Sequence, residues 1–372
     1  MPSPADGFDQ STDPLLERNA PRKPPDSTEP NVNFTGLGSK PSAKGRLTPL
    51  QRRGRMLVER LRTGGKEPAR KVETLPDPRI GIALGGGSAR GLTHIPYIEA
   101  MDELGLAPSV IAGTSIGALI GSGWAAGMTG AELREHSISV LGTMRIIMGK
   151  LWTTQVRGLT GIFQNGIPMQ LDAGLIVEAF TPHPFPEEFS ALKIPLYIVA
   201  TDYHSWHQAV FNEGPLKPAI AGSIAIPSFF KPVAFANHLL VDGGVVNPLP
   251  LDQASVDSDI LVGIDVNGDP AEAIRNGAPP RALDAWFGAA QIMMHSLTAH
   301  MMAAYPPDIY MRPHVTPFGM MEFWRVKEII EHGDADKERF KQALTEKLEA
   351  FTAAQQRTLS TIRPIAPRQA RK

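Results

Sequence analysis

Three short stretches of this 372-residue chain hold residue types that could carry out chemistry together. The first is Gly113-Thr114-Ser115-Ile116-Gly117, a serine at G-x-S-x-G spacing. Val110-Ile111-Ala112 leads in and Ala118-Leu119-Ile120 leads out, the context of a strand turning sharply into a helix. Glycines two before and two after remove side chains that would clash in so tight a turn. They leave Ser115 exposed at a helix N-terminus, where its hydroxyl can serve as a nucleophile. The second stretch, Gly85-Gly86-Gly87-Ser88-Ala89-Arg90-Gly91, follows the apolar run Ile80–Leu84 and precedes a helix. Its uncovered N–H groups can hold an anion, including the oxyanion of acyl transfer, and Arg90 could add positive charge. The third is Asp242, which ends Leu239-Leu240-Val241 and is followed by Gly243-Gly244. An acid at a strand's C-terminal end lies where sites on open α/β sheets are found.

What the chain lacks narrows the chemistry. With no cysteine, disulfides, thiolate metal sites and cysteine nucleophiles are excluded. A Ser-Asp-His triad needs a late histidine, and His295, His300, His314 and His332 follow Asp242. None sits in a glycine-flanked loop after a strand, so a Ser115–Asp242 dyad with the carboxylate as general base is the simpler assignment. No cofactor and no metal are called for. A dinucleotide fold also opens with strand, glycine loop and helix, but the next strand ends in the serine pentad rather than in an acid. A net charge of -1 argues against a nucleic-acid surface.

The elements that must position these residues read as a parallel α/β sheet. Strands are predicted over Ile80–Leu84, Leu106–Ala112, Leu196–Thr201, Leu239–Val241 and, as the last, Ile260–Val266. Helices are predicted over Thr93–Leu104, Gly130–Met148, Ile220 to about Pro227, Leu283–Ala304 and Val326–Phe351. Two strand–glycine loop–helix units close together imply parallel pairing. Val110–Met128 carries no charge and is long enough to suggest a membrane span. Its internal turn makes it a buried strand followed by a buried helix. Met293, Met294, Met301 and Met302 recur at helical spacing and read as core, with a lipid-facing wall as the alternative.

Three regions follow. Residues 1–78 form a disordered, basic extension; Arg46–Lys71 holds nine Lys or Arg against two Glu, a solvated segment that could also meet anionic lipid. Residues 79–268 form the domain that holds the three stretches, and residues 269–372 a mainly helical extension. Leu151–Leu171 reads as a loop or lid, Asp269–Pro280 as a connector and Arg363–Lys372 as a tail. The N-terminus has no secretory signal, which points to the cytoplasm with peripheral membrane contact as an option.

Together, Gly86-Gly87-Ser88-Ala89-Arg90-Gly91, the Ser115 pentad and Asp242-Gly243-Gly244 resemble the patatin-like phospholipases. That family carries G-G-G-x-R/K-G, G-x-S-x-G and D-G-A/G in this order. Ala200-Thr201-Asp202, Ser223–Pro227 and Val241–Pro250 also resemble bacterial members, and the resemblance covers about Ile80–Val266. It implies a three-layer α/β fold and a lipid acyl hydrolase of the phospholipase A or lysophospholipase type. Its partner is a lipid ester. In that assignment Ser115 is the nucleophile and Asp242 its base, with Gly243 and Gly244 completing the acceptor motif. Gly113, Thr114, Ile116 and Gly117 form the elbow. Gly86, Gly87, Ser88 and Arg90 form or support the oxyanion hole. Ser88 departs from the pattern, standing where the family has its third glycine. The same residues would also serve acyl transfer to another acceptor, or persist in a non-catalytic lipid-binding member.

Overall fold

The fold is given by a computed structural model, which describes residues 77–155, 170–268 and 282–361. The basic segment Arg46–Lys71, the connector, the tail and most of the Leu151–Leu171 stretch lie outside these residues.

The first strand, β1 (Ile80–Leu84), is buried on both faces and pairs in parallel with β2 (Val110–Thr114) and β7 (Ile260–Ile264). On one side β2 pairs in parallel with β3 (Leu196–Asp202). On the other, β7 pairs in parallel with β8 (Ile309–Met311). Such strands need crossovers long enough to return the chain, and α1 (His94–Glu103) supplies the first. Ile260–Val266 is therefore not the last strand: three residues too few to show a period continue the sheet. The exposed β4 (His207–Phe211) and the short β5 (Val233–Phe235) were likewise not predicted.

Alternation along the strands splits the core between two faces. Ile80, Ile82, Leu84, Ile111 and Ile198 enter one cluster, with α1, α2 (Ile116–Ala126) and α3 (Gly130–Gln155) packed on that side. Ala83 and Ala112 enter the other, with Leu251 and Ala254 of α6 (Leu251–Ala254) and Met301 and Met302 of α7 (Ala282–Ala304). Helices thus cover both faces, giving three layers. Next to α3 lies α4 (Ala173–Phe180), whose N-cap Asp172 accepts from the Gly174 N–H. On the C-terminal side, α8 (Val326–Asp334) and α9 (Lys337–Thr361) pack against α1. The uncharged stretch from Val110 resolves into β2 and α2. Among the described residues no helix is long and apolar enough to cross a membrane.

One detail of the sheet governs the site. Along Ile198–Asp202, β4 occupies one edge of β3. On the opposite edge, β2 runs up to the pair Thr114–Val199, and β6 (His238–Asp242) runs down to the pair Asp242–Ala200. The two strands therefore meet end to end. β6 is held in place by a hairpin with β5 through the two-residue turn Ala236-Asn237. Both turn residues are left-handed, with φ of 50° and 64°, as a hairpin this short requires.

Candidate active site

Ser115 caps α2 with φ 55° and ψ -123°, a conformation non-glycine residues rarely adopt. Sharp reversal from β2 into α2 brings the helix hard against β1. A Cβ on Gly117 would lie 2.1 Å from the Leu84 carbonyl oxygen, so only glycine fits there. The Ser115 N–H donates to Ser223 Oγ (2.9 Å), and Ser223 donates to the Val199 carbonyl (2.6 Å). Thr114 Oγ1 donates to the Asn247 carbonyl at 2.8 Å, tying the strand end to the loop after Asp242. These bonds fix the backbone and leave the Ser115 hydroxyl as the group pointed at the next strand.

There it donates to Asp242 Oδ2 at 2.5 Å. The other carboxylate oxygen accepts the Gly244 N–H at 2.7 Å. The Asp242 backbone is pinned as well: its N–H donates to Ala225 O, and its carbonyl accepts from Thr201 Oγ1. Among the described residues no cation touches the carboxylate. Burial pushes its pKa up to about 6, against the opposing effect of the two hydrogen bonds. A carboxylate with that affinity for a proton is a competent base near neutral pH. The late histidines lie elsewhere: His295 Nδ1 is 3.2 Å from Arg312, His300 Nδ1 faces the Ser296 carbonyl, and the rings of His314 and His332 lie against each other.

The glycine loop passes beside the pair, and Ser88 and Ser115 line the same cavities. Ser88 has φ 55°, so serine occupies the conformation that glycine would take more easily. Two of the loop residues assigned to the oxyanion hole have their donors committed elsewhere. The Gly86 N–H donates to the Pro248 carbonyl at 2.9 Å. Arg90 is buried and donates from Nε to Phe318 O (2.7 Å) and from Nη1 to Asn267 O (3.0 Å). The guanidinium thus braces the loop against the C-terminal segment rather than facing Ser115. Gly87 and Ser88 remain as the stretch with N–H groups suited to an oxyanion. Ala89, next in line, donates to Met320 O.

Two supports carried no signature in the sequence. Ser223 sits in Ser223–Pro227, but its role emerges only when the chain folds it onto Ser115, 108 residues away. His94 is fully buried with Nε2 2.8 Å from the Gly85 carbonyl, and burial pushes its pKa down to about 4. A neutral imidazole therefore donates to the carbonyl that opens the glycine loop.

Two apolar cavities meet at Ser115, Ser88 and Ile226. The larger, about 520 Å³, is walled by Leu119, Leu141, Ile176, Phe180, Phe230 and Trp324. The smaller, about 320 Å³, is lined by Asp242, Val245, Met293, Met294 and Leu297 among others. Met293 and Met294 are thus cavity wall rather than core, unlike Met301 and Met302. Among the described residues no group of three or more His, Asp or Glu is arranged to hold a metal ion. A buried serine–carboxylate pair between two greasy cavities suits nucleophilic attack on an ester of apolar character.

Residues 82–255 match the family model of the patatin-like phospholipases. An uncharacterized NTE family protein of Mycobacterium tuberculosis is 36% identical over 212 residues, covering 57% of this chain and 55% of that protein. The human patatin-like phospholipase domain-containing protein 6 is 27% identical over 205 residues, 53% of this chain and 14% of that protein. The chain thus aligns with about half the length of the mycobacterial relative. Among solved structures, VipD from Legionella pneumophila aligns with a TM-score of 0.38 at 14% identity, covering 77% of this chain and 73% of that one.

Proposed function

We propose that the patatin-like phospholipase domain this chain carries is a serine lipid acyl hydrolase working through Ser115 and Asp242. The observation that carries this reading is the 2.5 Å contact from Ser115 Oγ to a buried carboxylate with no cationic partner among the described residues, at the junction of two apolar cavities. Asp242 takes the hydroxyl proton as Ser115 Oγ attacks the ester carbonyl carbon. The N–H groups of Gly87 and Ser88 receive the oxyanion. Collapse breaks the bond to the leaving oxygen, which takes the proton back from Asp242. Water then enters, gives a proton to Asp242 and attacks the acyl-enzyme; collapse breaks the bond to Ser115 Oγ, which takes that proton back from Asp242, and the fatty acid leaves.

A lipid-ester panel read by product mass spectrometry tests this, alongside labelling by a fluorophosphonate probe. Wild type is expected to release fatty acid and to label, and Ser115→Ala to do neither. Turnover at the wild-type rate by folded Ser115→Ala would overturn the mechanism.

A further inference from the structure

Ser115 stands between two apolar cavities, and the chemistry treats the two sides differently. Resting on the hydrolase mechanism above, we infer that the smaller cavity is a leaving-group pocket that takes an alcohol bearing its own hydrocarbon chain, while the larger takes the scissile acyl chain. The proton removed from Ser115 resides on Asp242 and must pass to the departing oxygen. That oxygen therefore leaves on the side of the carboxylate. Asp242 lines the smaller cavity and not the larger one. With the oxyanion held by the glycine loop and the leaving oxygen toward Asp242, the acyl chain is directed away, among Leu119, Leu141 and Phe180.

The walls of the smaller cavity define its ligand. Ala290, Met293, Met294 and Leu297 of α7 line it together with Val245. Met294 reaches the turn after Asp242: its Cε lies 3.1 Å from where a Cβ on Gly244 would stand. Among the described residues no lysine, arginine or histidine lines this space. A phosphate seated here would adjoin the Asp242 carboxylate without a counter-charge, at a large desolvation penalty. A hydrocarbon chain has no such penalty, and methionine adapts to chains of varied shape. A volume of about 320 Å³ is far more than a methanol-sized leaving group needs. Met293 is 61% exposed and its neighbour Ile292 70%, so the wall opens to the surface as an apolar strip along which a chain can enter. The preferred substrates are esters whose leaving alcohol is itself long-chained, such as diacyl lipids, over monoacyl lipids with a bare polar alcohol.

Two matched ester series in constant neutral-detergent micelles test the assignment. One keeps a hexanoyl group and lengthens the alcohol from methanol to dodecanol; the other keeps methanol and lengthens the acid. For wild type, kcat/KM is expected to climb in the alcohol series by roughly two- to fourfold per methylene until the cavity fills. Leu297→Trp, which fills the smaller cavity, flattens the alcohol series and not the acid series; Leu141→Trp does the reverse. Met293→Glu, at an exposed wall position that the fold tolerates, also flattens the alcohol series. A wild-type alcohol series that is flat while the acid series climbs overturns the pocket and leaves the hydrolase reading standing, as does the opposite pairing of variants and series. Absence of turnover in both series, together with absence of phosphonate labelling, overturns the hydrolase reading and the pocket with it.

Discussion

Asp202 and Asp242 end neighbouring strands of one sheet, two rungs apart along the β3–β6 pairing, yet they are chemically opposite. Asp202 accepts from Ser205 Oγ (2.7 Å) and the His204 N–H, and His238 Nδ1 lies 3.2 Å away. Those donors, led by Ser205 and His238, hold its carboxyl well below the usual range. Among the described residues Asp242 accepts from two neutral donors, Ser115 Oγ and the Gly244 N–H, and burial raises its pKa to about 6. Residue type, place at a strand end and exposed surface are nearly the same, 8% for Asp202 and 7% for Asp242; the supply of donors suits one to anchoring and leaves the other fit for the proposed role of base. Asp265, following β7, repeats the anchoring pattern with Tyr310 and Arg312.

The sharpest break in this contrast is Asp242→Asn. An amide keeps the shape but cannot take the proton, so kcat is expected to fall by about 10³-fold or more. The same change should stabilise the fold. Because the folded pKa of about 6 lies above the unfolded value near 3.8, the folded state binds the proton more tightly. Stability contributed by the protonated form is full below about pH 4 and lost as pH rises to about 6. Asn removes that loss, so denaturant titration should show Asp242→Asn more stable than wild type by the order of 2–3 kcal/mol at pH 8, with no gain at pH 4.

Next in size is the pH profile of the wild type. Only ionised Asp242 accepts the proton, so kcat/KM should rise about tenfold per pH unit below 6 and level above it, near 100-fold lower at pH 4 than at pH 8. Ser223→Ala leaves the Ser115 N–H and the Val199 carbonyl without their shared partner. Stability is expected to drop by about 1–3 kcal/mol and turnover by about tenfold, with the pH midpoint unmoved. The smallest effect belongs to Asp202→Asn. Turnover should stay within about threefold and the midpoint near 6 should not shift. Its depressed pKa gives the opposite linkage: the stability Asp202 contributes is present above its unfolded pKa and lost as pH falls through the folded one. A large activity loss in Asp202→Asn would erase the division between anchor and base.

Much of this was legible before folding because the turns are local. Sharp reversal at Ser115 needs small residues within two positions, so the pentad announces itself. β1 matches its predicted limits because a strand buried on both faces is an unbroken apolar run. The edge strands β4, β5 and β8 are short or exposed and carry no such run. The direction of Arg90 was not legible either. Its partners Asn267 and Phe318 lie 177 and 228 residues downstream, and a guanidinium bound to carbonyls leaves no charge pattern. α5 (Leu216–Ser223) stops before Ile224, short of the predicted Pro227, as the chain turns to bring Ser223 under Ser115. The role of α7 divides along its length. Met301 and Met302 meet the sheet and Met293 and Met294 meet a cavity, a distinction that helical spacing does not encode.

The two-residue turn Ala236-Asn237 works as a ruler. Its length decides which residue of β6 stands opposite which residue of β5, and so which one reaches Ala200 on β3. Side chains along a strand alternate between faces, so an insertion there that moved β6 by a single rung would send the Asp242 carboxylate to the wrong side of the sheet. Ser115, its elbow and the glycine loop would be untouched, and the proton of the proposed mechanism would have no destination. The proposed proton transfer thus hangs on a count kept at a hairpin tip that lines neither cavity.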